Sequence, residues 1–116
     1  MKSICFILTT ILICASTVLA AQSLKKETIK VWGNCSSCKK HIENAALESG
    51  ASYADWNKNT KILQISYNPA TVKEANIQKG IAAAGYDTEK FKGDDKAYSA
   101  LDECCQYERK TTSSNQ

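Results

Sequence analysis

The stretch Val31-Trp32-Gly33-Asn34-Cys35-Ser36-Ser37-Cys38-Lys39-Lys40-His41-Ile42 sets two thiols three residues apart, between a strand-like run and an amphipathic helix. Thiolate sulfur is the ligand that soft cations prefer. A Cys at a helix N-terminus also has its thiolate stabilised by free backbone N–H groups and the helix dipole. The pair is therefore suited either to holding a soft metal or to cycling between dithiol and disulfide. The rest of the chain bears on which.

Upstream, Lys25 to Trp32 (KKETIKVW) carries β-branched Thr28, Ile29 and Val31 and reads as a strand, with Ile29 and Val31 on its buried face. Downstream, Ile42, Ala45 and Ala46 recur at helical spacing from Ser37 to Ser49, and Cys38 falls on the same side as Ile42. Gly50 is placed to end that helix. Ala51 to Trp56 and Lys61 to Tyr67 alternate as half-buried strands do, joined by the polar turn Asn57-Lys58-Asn59-Thr60. Asn68-Pro69-Ala70-Thr71 breaks the pattern, and Thr71 is a suitable N-cap for a second helix from about Val72 to Ala84. Ile77, Ile81 and Ala84 share one face of that helix, and Gly85 closes it. Tyr86 to Lys92 reads as a weak edge strand. The order β-α-β-β-α-β predicts an α+β, ferredoxin-like split βαβ sandwich over residues 25–92.

A C-terminal tail, residues 93–116, follows. Asp94 can cap a short helix carrying Ala97, Tyr98 and Leu101 on one side, with Cys104 and Cys105 at its end. From Lys110 onward (KTTSSNQ) the composition is that of a disordered segment.

Residues 1–20 read as a secretory signal peptide. Lys2 gives a positive start, Ile4 to Val18 is mostly apolar, and Val18-Leu19-Ala20 offers small residues before a cut after Ala20. The segment is too short to read as a stable membrane span, so the mature form is expected to be secreted or periplasmic and not membrane-spanning. Cleavage leaves 96 of the 116 residues, enough for one small domain with a modest core. It lowers the formal net charge from +3 to +2 and the Cys count from six to four: Cys35, Cys38, Cys104 and Cys105. Four Cys in an exported chain ordinarily suggest disulfides. Here a bridge within either close pair would close a tiny loop and stabilise little. No basic patch with interleaved aromatics points to nucleic acid.

The stretch from Lys25 to about Lys92 resembles the heavy-metal-associated domain, the fold of copper chaperones, copper-ATPase metal-binding domains and the periplasmic mercury-scavenging protein. Cys35 and Cys38 match its CxxC, and Ile42 and Glu43 match the hydrophobic and Glu of its first helix. Ile62 to Pro69 is similar to its third strand, and Gly85-Tyr86 to the Gly-Tyr after its second helix, where the aromatic approaches the metal loop. Aligned on the Cys pair, Trp32 and Gly33 stand where that family usually has Gly-Met, with the Met packed under the loop. The tail bearing Cys104 and Cys105 is an addition to the minimal domain.

The resemblance implies metal binding at Cys35 and Cys38, with Cu(I) first and Hg(II) or Zn(II) behind, and a metal-transporting or efflux protein as partner. Two thiolates leave Cu(I) open to an incoming ligand, whereas Zn(II) prefers a closed tetrahedron of four. Cys104 and Cys105 are read as auxiliary ligands, disulfide partners of the first pair, or packing residues. His41 reads as a solvated surface residue, and Lys39 and Lys40 either as ordinary solvated helix residues or as cations that lower the thiolate pKa values or steer an acidic partner. The competing class is a thiol–disulfide redox protein using the same CxxC. Against it, the single Pro, Pro69, lies at a strand exit, and no Trp directly precedes Cys35. No His/Asp/Glu cluster accompanies the thiols, and the chain is not expected to be an enzyme.

Overall fold

A computed structural model describes residues 23–111. The leader assigned to residues 1–20 and the last part of the tail, residues 112–116, lie outside them. Three strands, β1 (Lys25–Lys30), β2 (Tyr53–Trp56) and β3 (Ile62–Tyr67), form an antiparallel sheet in the order β1-β3-β2. Two main helices connect and follow them, α1 (Ser36–Glu48) and α2 (Glu74–Ala83). The register places Ile29 opposite Leu63 and Glu27 opposite Ile65. Period-two alternation therefore sends Ile29, Leu63 and Ile65 into the core, while Lys26, Thr28 and Gln64 face away from it. The strand residues pack against Cys38, Ile42 and Ala46 of α1 and Ile77 and Ile81 of α2. This is the ferredoxin-like α+β arrangement expected from the sequence.

Both main helices stop as the glycines predict. Gly50 has φ +119°, with its N–H bonded to Leu47 O and that of Ala51 to Ala46 O. Gly85 has φ +103°, with its N–H on Ala82 O and that of Tyr86 on Ile81 O. These are Schellman closures, in which a left-handed residue lets the chain turn back over the last carbonyls. The second delivers Tyr86, fully buried, beneath the Cys-bearing loop.

Three expectations are corrected. The N-cap of α2 is Lys73, without a side-chain cap, and not Thr71, whose hydroxyl instead donates to Asn68 O. The edge strand expected over Tyr86 to Lys92 shrinks to one bridge, Val31 with Thr88. Asp87 and Thr88 are buried polar residues, and Asp87 spends its carboxylate on groups outside the sheet. Lys110, the first residue of the segment read as disordered, is held: its backbone N–H bonds Asp87 Oδ2 at 2.9 Å and its ammonium bonds Thr88 O at 2.6 Å.

The tail folds onto the frame. Helix α3 (Asp95–Ser99) is capped by Asp94, whose carboxylate accepts the Ala97 N–H at 2.8 Å. A 3-10 turn, Glu103–Cys105, follows. Tyr107 is buried, its ring stacked on Tyr86 at 5.5 Å between centroids. Its hydroxyl donates to Gly85 O at 2.7 Å and accepts the Asp87 N–H at 2.8 Å. Arg109 closes on Asp87 through Nε at 3.1 Å and Nη2 at 2.6 Å. Burial alone would push the Asp87 carboxyl up, but Arg109 and the N–H groups of Gly93 and Lys110 hold it below the usual carboxylate range.

Candidate metal centre

Helix α1 begins at Ser36, with Cys35 as its N-cap residue in extended conformation (φ −147°, ψ 177°). Helical spacing then brings Cys38 one turn on and back toward Cys35, with the sulfurs 3.4 Å apart. Cys38 is fully buried beside Ile42 and donates to Asn34 Oδ1 at 3.0 Å, while Cys35 is half-buried.

The place under this loop where the related domain usually keeps a Met is filled differently. A Cβ at Gly33 would lie 3.0 Å from the Trp56 ring and 3.1 Å from Ile42. The indole thus occupies the volume that a side chain at position 33 would take, tied by Nε1 to Val31 O at 2.9 Å. Trp56 is in turn anchored by its N–H to Glu43 Oε2 at 2.8 Å. Lys39 joins that anchor, bonding Glu43 at 2.5 Å and Asp55 at 2.6 Å. It ties α1 to β2 and is not the free surface Lys expected.

The 3-10 turn of the tail lies across the same loop. Cys105, fully buried, brings its sulfur to 3.7 Å from that of Cys35, and its carbonyl lies 4.0 Å from the Cys38 sulfur. The sulfurs of Cys35, Cys38 and Cys105 all lie within 4.8 Å of one another. An ion with bonds of about 2.3 Å to sulfur holds three trigonal sulfurs ~4 Å apart, so the cluster is close to the size a three-coordinate soft ion needs. Cys104 is outside the trio. It is an exposed residue whose sulfur lies 3.9 Å from that of Cys105 and whose carbonyl lies 3.2 Å from the Cys35 sulfur.

Charge is unevenly available among these thiols. Burial pushes Cys35 up, but hydrogen bonds from the Cys38 backbone N–H, the Cys38 and Cys105 thiols and the Ser37 N–H outweigh it, bringing it down to about 7. Cys105 moves the opposite way, raised by burial and by the neighbouring Cys38 and Cys35 sulfurs. Crowded sulfurs resist carrying several negative charges without a cation between them. A cation bound among them removes that conflict.

His41 is exposed, as expected, yet its Nδ1 lies 2.9 Å from the Tyr86 hydroxyl. Its imidazole is no member of the sulfur cluster. Sequence reasoning missed Asp87, Tyr107 and Arg109, which fasten the turn that presents Cys105. Their signal, an aromatic and an Arg two and four residues past Cys105, is too generic to name a partner.

No protein-family model and no curated protein matches the chain. Among solved structures, a metallochaperone named CopZ is similar at 27% identity and TM-score 0.52, over 55% of this chain and 98% of that one. A copper-binding domain from HMA7, a P-type ATPase, is similar at 27% identity and TM-score 0.53, over 55% and 89%. The N-terminal domain of the zinc(II) ATPase ZiaA in its apo form is similar at 37% identity and TM-score 0.50, over 57% and 64%. The chain carries the heavy-metal-associated fold of copper chaperones and P-type ATPase metal-binding domains, with a Cys cluster at the loop before α1.

Proposed function

We propose that this protein binds a soft metal ion between Cys35, Cys38 and Cys105 and serves to deliver or scavenge it, not to catalyse a reaction. The observation that carries the reading is the convergence of three thiols within 4.8 Å at the N-terminus of α1. Cu(I) is the ion of choice, because three thiolates satisfy it, whereas Zn(II) prefers a fourth ligand. The copper-binding domain and the zinc(II) ATPase domain with the same fold are consistent with Cu(I) first and Zn(II) behind it, with Hg(II) as the further soft ion. Export, directed by residues 1–20, would put the protein in a periplasmic or extracellular space. Its partner would be a metal-transporting or efflux protein. Among the described residues no helix is long and apolar enough to cross a membrane.

The sulfur contact of 3.4 Å between Cys35 and Cys38 also favours a second reading, a dithiol–disulfide couple. An anaerobic Cu(I) titration of the reduced protein against a competing chelator separates the two. One ion bound tightly per chain, lost in Cys35→Ser and in Cys38→Ser, supports metal binding. Unchanged affinity in both variants, or no competitive binding at all, overturns it in favour of redox chemistry.

A further inference from the structure

The same cover that supplies a third sulfur also obstructs release. Cys38 and Cys105 are 0% exposed, and the carbonyl of Cys104 sits over the Cys35 sulfur. An incoming thiol therefore reaches the trio only through half-buried Cys35, beside that carbonyl. Of the four cysteines, Cys104 is the most exposed, and its sulfur lies 3.9 Å from that of Cys105. That spacing is the one an ion bridging two sulfurs requires, since bonds of about 2.3 Å in a trigonal set put sulfurs ~4 Å apart.

We infer that Cys104 is the hand-over thiol of this site, an inference that rests on the metal-binding reading above. In the step, a metal–sulfur bond to Cys104 forms as the bond to buried Cys38 breaks. The Cys104 thiol loses its proton to solvent, and the freed Cys38 thiolate takes one up. The oxidation state of the ion does not change. The ion is then held by Cys35, Cys104 and Cys105, with exposed Cys104 on its outer side, where acceptor thiolates can add and displace the three in turn, each freed thiolate taking up a proton.

The surroundings of Cys104 also define the acceptor. Asp102 and Glu103, immediately before Cys104, are both exposed, whereas Glu108 lies among Lys30, Lys61, Arg109 and Lys110. The acceptor that fits is a thiol pair set in a positively charged surface, which such a face attracts and orients.

The test compares full-length mature wild type and Cys104→Ser, each reduced and loaded with one Cu(I). Equilibrium affinity is measured first by chelator competition. Transfer is then followed by stopped flow to two synthetic Cys-x-x-Cys peptides, one flanked by Lys and one by Glu. The expected result is an affinity changed by less than about twofold, with transfer slowed at least about tenfold, the effect of ~1.4 kcal/mol on a barrier. Wild type should also load the Lys-flanked peptide faster than the Glu-flanked one. Equal transfer rates for the two proteins overturn the hand-over role while the metal site stands. A matching fall in affinity overturns it too, by making Cys104 a resident ligand. Equal rates to the two peptides overturn the choice of a basic acceptor. Failure of wild type to bind Cu(I) overturns the reading beneath it.

Discussion

The two cysteine pairs differ by spacing, and spacing decides what each can do. Cys35 and Cys38 stand one helical turn apart, so both sulfurs come to the same place, 3.4 Å from each other. Cys104 and Cys105 are neighbours on a 3-10 turn, their sulfurs 3.9 Å apart, one residue buried and the other exposed. The first pair is positioned by the sheet-and-helix frame and the N-terminus of α1. The second is positioned by contacts made at a distance: Tyr107 to Gly85 and Asp87, and Arg109 to Asp87. A helix turn thus makes a chelating pair from local geometry, whereas the tail makes one inner and one outer thiol only because it is pinned.

The sharpest way to break this comparison is to delete sulfurs singly. Cys38→Ser should weaken Cu(I) binding by more than about a thousandfold, ~4 kcal/mol, measured by chelator competition. Cys105→Ser should cost about tenfold to a hundredfold and lower the sulfur count at copper from three to two, read by X-ray absorption.

Next in size is the pin. Arg109→Ala leaves the buried Asp87 carboxylate short of its cation and should lower unfolding free energy by about 3 kcal/mol, measured by urea denaturation near neutral pH. The pH dependence follows from the same contact. The folded-state carboxyl of Asp87 is held below its ordinary value. The stability it contributes is therefore fully present above the ordinary Asp range and is lost as pH falls through the lowered value. In Asp87→Asn this acid-side loss should flatten, and an unchanged slope would place the loss elsewhere.

Smaller again is Tyr107→Phe, which leaves Asp87 N–H and Gly85 O without their partner and should cost roughly 1–3 kcal/mol on the same denaturation curve. Of least consequence to stability is the ionisation of Cys35. In a Cys104→Ser background, iodoacetamide should modify Cys35 with a rate that rises through a midpoint near the value of about 7. Buried Cys105, raised, should lag behind it at every pH. A common rate for the two would deny the difference between the pairs.

Much of the frame was legible because its signals are local. Alternation in Lys61 to Tyr67, helical spacing of Ile42, Ala45 and Ala46, and the stop glycines Gly50 and Gly85 each refer to residues close in the chain. The CxxC pair was legible for the same reason. The short fourth strand was overread because Asp87 and Thr88 look like ordinary strand or turn residues until Arg109 and Tyr107 are in place, 22 and 20 positions away. Adjacency of Cys104 and Cys105 likewise could not tell which sulfur turns inward, since burial of Cys105 depends on the loop it meets, 70 positions earlier. Gly33 was visible as a departure, but its reason, the Trp56 indole, lies across the hairpin.

That separation of 70 positions between Cys35 and Cys105 has a consequence of its own. An ion gripping both sulfurs ties the chain into a loop, as a disulfide would. By chain-entropy reasoning a tie of that length removes about 4 kcal/mol of disorder from the unfolded chain. Cargo and staple are then one object. Handing the ion on loosens the molecule that carried it, and a spent carrier opens more readily to a protease than a laden one.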